Sequence, residues 1–400
     1  MRTLLTRYRT ALRSPGMARV ITAAFAAYLL SGMMSLSLLL TAERATGSYA
    51  TAGLVAGAYA AALAFAAPAW GRFVDRRGPR TPLALAVAAQ AVAVGAVVVA
   101  ANSGTPALLV AAAAVAGACS PPTSTVASRV MAAVPDEAVQ RTLFALSGFI
   151  TECVFVVGPL VVAALVLLFH PLWAVGLAAV ASAAGALLLR GSTAVRRLEE
   201  EAARTTADGG GSSGWSAAQV RVLTVVALGA FAIGGVQVSI VAHAQGSGSS
   251  EGVFVALVAT GGVVASFLYG GLSLPGSLPA QLAACLGLYG LLILGLAFEP
   301  GLLVSAVLLL LIGAATGPAD GIEAMLIGKC TPPAAQARAF AVLVTANWIG
   351  FALGSAVGGA VVERVSLAAG VVATGLAALA AAALALFSRV PTGPASAAVR

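Results

Sequence analysis

Three carboxylic acids stand inside long apolar stretches of the sequence. Glu152 lies near the middle of one stretch, and Asp320 and Glu323 follow a Gly-Pro pair in another. A spacing of three residues places Asp320 and Glu323 on the same face of a helix. Burying an acid at the centre of a bilayer costs about 2.5–3.5 kcal/mol, so such a residue usually faces a cavity or a partner. These side chains could therefore contact a substrate or bind and release a proton.

Two of these acids also have a structural interpretation. Glu152 could form a hydrogen bond to a neighbouring Ser, Thr or amide, and Glu323 could lie at the membrane interface, whereas Asp320 lies deeper. Two uncharged residues within apolar stretches, Gln237 and Asn347, are weaker candidates for substrate contact. The alternative for Asn347 is a hydrogen bond that joins helices.

No motif for catalysis, metal binding or cofactor binding is visible in the sequence. It contains two histidines, and its four cysteines form no C-x-x-C pair. Gly328-Lys329 is not a phosphate-binding loop, because Cys330 follows where Ser or Thr is required. We therefore expect no enzymatic activity, no cofactor and no metal site.

The composition predicts an all-α membrane protein. Of its 400 residues, 60% are hydrophobic and only 9% are charged, whereas soluble domains carry about 25% charged residues. A spanning helix needs about 20 apolar residues, and stretches of that length follow one another almost without interruption. They predict twelve transmembrane helices: spans 1 to 6 at 19–41, 49–70, 82–101, 106–127, 143–168 and 171–190, and spans 7 to 12 at 219–241, 252–273, 279–297, 301–323, 338–362 and 366–388.

The distribution of positive charge predicts the orientation in the membrane. The net charge is +8, but the basic residues occupy short loops between apolar stretches, which argues against nucleic-acid binding. With a cytoplasmic amino terminus, only Arg44 and Arg364 of the 22 Lys and Arg residues fall on the outer side. Arg outnumbers Lys 21 to 1, which suggests a bacterial source. We expect a multi-pass protein of the bacterial cell membrane with both termini in the cytoplasm.

A polar segment divides the chain into two halves, 1–190 and 218–400, with a cytoplasmic loop at 191–217. Within this loop, Thr193 to Arg204 predicts a short surface helix, and Gly209 to Gly214 predicts a flexible linker. The halves resemble each other, which predicts two six-helix repeats. Three residues of the first half recur 196 positions later: Gly117, Pro122 and Gly158 as Gly313, Pro318 and Gly354.

Four residues predict bends in the spans, because proline removes a helical hydrogen bond and glycine favours kinks. Pro122 should bend span 4, Gly158-Pro159 should bend span 5, and Pro318 should bend span 10.

The loop between spans 2 and 3 carries a recognisable motif. Residues 71–80 read Gly-Arg-Phe-Val-Asp-Arg-Arg-Gly-Pro-Arg, which resembles the signature G-x-x-x-D-[RK]-x-G-[RK]-[RK] of the major facilitator superfamily of transporters. The residues that match are Gly71, Asp75, Arg76, Gly78 and Arg80, whereas Pro79 departs from the pattern. The second copy, between spans 8 and 9, retains two glycines but no charge.

This resemblance implies a conformational latch on the cytoplasmic side. Asp75 would hold the cytoplasmic gate closed, and its candidate partners are Arg129 and the amino terminus of span 11, near residues 335–340. It also implies a monomeric secondary transporter that moves a small molecule across the bilayer by alternating access. Proton-coupled efflux of an organic solute is the first expectation. Metabolite uptake by symport or facilitated diffusion, and a receptor or scaffold that transports nothing, are the alternatives.

Overall fold

Apolar sequence in long stretches folds here into helices, which satisfy the backbone hydrogen bonds within each segment. The computed structural model describes residues 2–14, 16–205, 214–247, 251–272, 274–298 and 301–387, and apart from Gly214 the linker expected at 209–214 lies outside them. The first half contains α1 (Arg2–Arg13), α2 (Met17–Thr46), α3 (Tyr49–Arg77), α4 (Arg80–Ser103), α5 (Pro106–Ala118), α6 (Thr123–Ala132), α7 (Glu137–Leu168) and α8 (Pro171–Arg190). Then follow α9 (Thr193–Thr205), α10 (Ala217–Ser247), α11 (Glu251–Gly271), α12 (Leu278–Leu296), α13 (Leu302–Thr316), α14 (Ala319–Lys329), a 3-10 turn (Pro333–Ala335), α15 (Gln336–Arg364) and α16 (Leu367–Leu386).

These helices supply the expected membrane spans. Spans 1 to 6 are α2, α3, α4, α5 with α6, α7 and α8, and spans 7 to 12 are α10, α11, α12, α13 with α14, α15 and α16. Among the described residues, 11 of the spans are long and apolar enough to cross a membrane. Span 8 contributes a shorter apolar stretch, Ala256–Gly271. Most helices extend a few residues beyond the predicted limits.

Prolines interrupt two spans at equivalent places. Span 4 breaks between Ala118 and Thr123, at Pro121-Pro122, and span 10 breaks at Gly317-Pro318. By contrast, α7 continues as one helix through Gly158 and Pro159. The bend expected in span 5 therefore stays a prediction.

Two helices lie outside the spans. The surface helix expected in the central segment is α9, and its Arg196–Glu200 pair is exposed at 3.6 Å. The sequence analysis assigned no helix to the amino terminus, yet α1 forms there and packs against α7 and α11. The limits of the halves at 190 and 218 stay a prediction, although α8 ends at Arg190 and α10 begins at Ala217.

The two halves repeat the same helix contacts. Gly117 of span 4 packs on the Tyr59 carbonyl of span 2, and Gly313 of span 10 packs on the Val258 carbonyl of span 8. In the same way, Gly158 of span 5 meets the backbone of span 1, and Gly354 of span 11 meets the backbone of span 7. Residues that match in sequence therefore make matching contacts.

The halves meet along two seams, span 2 with span 11 and span 5 with span 8. We call the face that carries the 71–80 loop the basic face and the other the distal face. One buried apolar cluster near the basic face joins both halves, with the rings of Phe144 and Phe340 6.4 Å apart. Two further clusters each belong to a single half.

The seams extend from the basic face to the middle of the bundle. On one face of α3, at seven-residue intervals, Gly71 touches span 11, the Ala64 carbonyl accepts a hydrogen bond from Thr345 at 2.8 Å, and Gly57 has nothing near its Cβ position. On α7, Glu152 still touches Gly262, but Phe155 one turn further is 47% exposed. The bundle is therefore closed at the basic face and open beyond its middle.

Candidate functional site

The Asp75 carboxylate links the two halves at the basic face. It lies in the last turn of α3, where Oδ1 accepts from the Ala337 amide at 3.1 Å and Oδ2 accepts from the Arg338 amide at 2.8 Å. The Arg129 guanidinium of α6 donates to Oδ1 at 3.3 Å and is 4% exposed. Both groups considered from the sequence therefore contact the same carboxylate.

Helix geometry explains the two amide contacts. Ala337 and Arg338 lie in the first turn of α15, where backbone N–H groups have no partner within the helix. The positive end of the helix dipole also favours an anion at this place. The acid of the first half thus caps a helix of the second half.

Two glycines of the motif permit this arrangement. A Cβ on Gly71 would lie 2.8 Å from the Ala337 carbonyl oxygen and from the Arg338 Cα, so only glycine allows spans 2 and 11 to approach this closely. Gly78 has φ +73°, a left-handed value that favours glycine, and ends α3.

The basic residues of the motif serve different contacts. The Arg80 amide donates to Glu199 Oε1 of α9 at 3.0 Å, and its guanidinium Nε donates to the Arg190 carbonyl at 3.3 Å. These bonds attach the 71–80 loop to the central segment. Arg76 is exposed.

A second group of residues, which we call the acidic centre, consists of Glu152, Asp320 and Glu323. The Glu152 carboxyl carbon lies 3.1 Å from the Cβ position of Gly262, across the seam between spans 5 and 8. Asp320 lies within electrostatic range of both Glu152 and Glu323. Spans 5 and 10 thus bring together the three acids that the sequence singled out.

Burial differs among the three acids. Asp320 is exposed although it follows the break in span 10, so it borders solvent-accessible space. Glu323 is 5% exposed, with Oε1 3.9 Å from the Cβ position of Gly229 in span 7. The Glu323 carboxylate is therefore buried within the bundle, whereas its depth relative to the membrane interface stays a prediction.

Within the described part of the chain, no ion pair neutralises the acidic centre. The nearest basic residues along these spans are Arg141 and Lys329, near the basic face, and both pair with Glu137, at 3.9 Å and 3.0 Å. Glu152 has no hydrogen bond among the described residues, so the structural interpretation lacks the partner that it requires. These carboxylates could therefore bind a proton or another cation.

The uncharged candidates lie on helices other than those of the acidic centre. Gln237 is exposed on α10, and Asn347 is half-buried on α15 beside Trp348. Over the described residues, neither side chain has a hydrogen bond to the acidic centre.

Comparisons with known proteins agree with this architecture. Residues 20–277 match the family model described as Major Facilitator Superfamily. The chain belongs to the major facilitator superfamily. The resemblance inferred from residues 71–80 is thereby confirmed. No curated protein matches this sequence.

Several solved transporters share the fold of this superfamily member. The human organic anion transporter MFSD10 superposes with a TM-score of 0.74 at 18% identity, over 93% of this chain and 100% of that chain. The proton:xylose symporter XylE gives 0.73 at 14% identity, over 94% and 96%. A bacterial homologue of the iron transporter ferroportin, in an outward-facing state, gives 0.69 at 12% identity, over 93% and 98%. The predicted twelve-helix fold is confirmed, and the chain is a multi-pass membrane protein with a transporter fold.

Sequence reasoning missed several polar residues of this major facilitator chain. The Tyr28 hydroxyl of span 1 lies 3.0 Å from Ser147 Oγ of span 5 and within electrostatic range of Asp320. Thr345 and Tyr8 also make hydrogen bonds between the halves. A hydroxyl within an apolar span is a weak signal, because such groups commonly bond to their own helix.

Proposed function

We propose that this chain is a proton-coupled secondary transporter that exports a small organic solute from a bacterial cell by alternating access. The observation that carries the proposal is the acidic centre, three carboxylates beside a seam between the halves with no ion-pair partner among the described residues. Because both halves come from one chain, we propose that the monomer is the working unit.

The acidic centre suits positive charge. Nearby carboxylates in a bundle interior repel one another, so each favours either a proton or a cation. If a proton and a cationic solute compete for the same carboxylates, the binding of one releases the other, and protons are exchanged for solute. We therefore propose that the solute is a cation that binds at Asp320, that Glu152 exchanges its proton when the solute binds, and that the more buried Glu323 is a further proton acceptor.

The latch residues support the alternation of access. In the proposed orientation the basic face is cytoplasmic and both termini lie on that side. The contacts of Asp75 with Arg129 and α15 then hold the cytoplasmic gate closed while the distal face is open. Gly71 and Gly78 permit the approach, and Arg76 and Arg80 anchor the loop.

Proton-coupled uptake is the second candidate. XylE, which shares the fold, is a proton:xylose symporter. In uptake of this kind, the acidic centre of the present chain would carry a proton in the same direction as the solute. A receptor or scaffold that transports nothing would bind a solute without moving protons.

A vesicle assay tests the proposal. Inverted membrane vesicles are given a proton gradient, and cationic, neutral and anionic solutes are added one at a time. We expect cations to dissipate the gradient in vesicles that contain the protein, whereas neutral and anionic solutes should not. A solute that moves protons in the opposite direction would favour uptake, and silence across all three classes would contradict proton-coupled transport.

Glu152→Gln tests the coupling residue. We expect the variant to lose pH-driven flux, because an amide cannot exchange a proton, and to retain exchange of labelled solute. Glu43→Gln, at the distal end of span 1, makes the same chemical change away from the acidic centre and should leave flux unchanged. If Glu152→Gln still accumulates solute when a pH gradient is applied, Glu152 has no part in the mechanism.

A further inference from the structure

The seam between spans 5 and 8 repeats the geometry of the Asp75 latch without its acid. Gly71 packs against Arg338 and Ala341 of span 11, and Gly270 packs against Ala145 of span 5, with its Cβ position 2.7 Å from the Ala145 Cβ. Ala145 and Ala341 are 196 residues apart, the interval of the sequence repeat. The loop after Gly270 has no charged residue, so the second seam lacks the group that closes the first.

Helix α1 supplies polar contacts at this place. The Tyr8 ring stacks on Phe267 of span 8 with centroids 4.9 Å apart and planes 3° apart, and its hydroxyl donates to the Phe267 carbonyl at 2.6 Å. The Arg7 guanidinium donates to the Gly271 carbonyl at 3.2 Å. Thr142 of span 5 donates to the Gly270 carbonyl at 2.7 Å.

The physical logic mirrors that of Asp75. The carbonyls of Gly270 and Gly271, at the end of α11, have no partner within the helix, and the negative end of the dipole favours donors and cations there. The Phe267 carbonyl, one turn earlier, receives the Tyr8 hydroxyl as an additional donor. Tyr8 is 7% exposed, and burial raises its pKa to about 12, so the hydroxyl remains a donor at physiological pH. Asp75 caps the start of one helix of the second half, and α1 caps the end of another.

We propose that α1 is a second latch, which holds the end of span 8 against the first half while the basic face is closed. The acid absent from the loop between spans 8 and 9 is replaced by Tyr8 and Arg7 from the amino terminus. This role requires the alternation of access proposed above, but it concerns the gate rather than the solute. A distance measurement therefore tests it separately from transport.

The test is a distance between spin labels on the two halves. Ala133 and Leu274 are exposed at the basic face, one in each half, and receive the labels in a full-length chain without its four cysteines. Tyr8→Phe keeps the ring stack and loses the hydroxyl, and we expect the ratio of long to short distances to rise about fivefold, as loss of ~1 kcal/mol implies. Arg7→Ala should act in the same direction.

Arg9→Ala is the matched control, because Arg9 lies exposed on the same helix and the change removes the same charge. It should leave the distances unchanged. If Tyr8→Phe and Arg7→Ala behave like Arg9→Ala while Asp75→Asn lengthens the distance, α1 is no latch. If Asp75→Asn is also without effect, both latches are overturned, whereas the proton assay still decides on transport. Thermal unfolding of each variant separates an open gate from a damaged fold.

Discussion

At the scale of single residues, Asp75 makes strong hydrogen bonds, but their net contribution to the free energy of folding is small. Hydrogen bonds to a charged group contribute about 1.5–3 kcal/mol each, and this carboxylate accepts three. Removing Asp75 and Arg129 from water offsets much of that gain. In the proposed transport cycle this contact opens and closes again, which requires such a balance.

A double-mutant cycle at this pair checks the coupling. Asp75→Asn leaves Arg129 buried without its counter-charge, which costs about 3–5 kcal/mol when a buried pair is broken. We expect thermal stability and transport to fall in Asp75→Asn, and the double variant Asp75→Asn/Arg129→Gln to lose less than the sum of the single losses. Thermal unfolding of purified protein measures the stability term.

The exposed pair Arg196–Glu200, with side chains 64% and 56% exposed, provides the control. Glu200→Gln should change stability by a few tenths of a kcal/mol at most, roughly the value of an exposed pair. Additive losses at Asp75 and Arg129 would show that the two residues do not act together.

At the scale of elements, the seams depend on helix ends and on glycine. The start of α15 meets an acid, and the end of α11 meets a phenol and a guanidinium, as the helix dipoles require. Small residues let the backbones approach closely enough for these side chains to reach. The closed basic face therefore combines the polar caps with close contacts at Gly71 and Gly270.

Gly71→Ala tests the close approach. Its Cβ would meet backbone atoms of Ala337 and Arg338 at 2.8 Å, and overpacking of this kind costs about 1–3 kcal/mol. We expect the closed basic face to become less populated, measured with the same spin-label pair. Gly57→Ala is the matched control on the same face of α3, where no atom lies within 4 Å. Equal effects of the two substitutions would assign the change to the helix itself and contradict a role of the seam.

At the scale of the whole molecule, two similar halves are joined at one face and apart at the other. A cluster shared by both halves lies near the basic face, and the remaining clusters are confined to single halves. Such a molecule can rock about its middle without unfolding either half, because each keeps its own core.

Labelling from outside the cell tests the proposed orientation. Thr105 lies in the distal loop between spans 3 and 4, and Ala133 lies in the basic-face loop between spans 4 and 5, both exposed. In a chain without its native cysteines, a membrane-impermeant maleimide should label Thr105→Cys in intact cells. Ala133→Cys should react only after the membrane is opened, because the basic loops are expected in the cytoplasm. The reverse pattern would contradict the orientation.

The sequence alone was sufficient to predict the spanning helices, a membrane environment and the family. In a bilayer the backbone must satisfy its own hydrogen bonds, so apolar stretches of about 20 residues have few alternatives to spanning helices. The order of residue types in 71–80 was sufficient to indicate the superfamily. The three acids could be singled out because charge is costly at that depth.

Which polar groups contact one another depends on the packing of the helices. A helix that is apolar on all sides carries no signal of the face it turns to a neighbour, so the burial of Glu323, the exposure of Asp320 and the half-burial of Asn347 could not be read from the spans. The contact between Tyr8 and Phe267 joins residues 259 positions apart. It depends on how the halves close, and neither local periodicity nor hydropathy records that geometry.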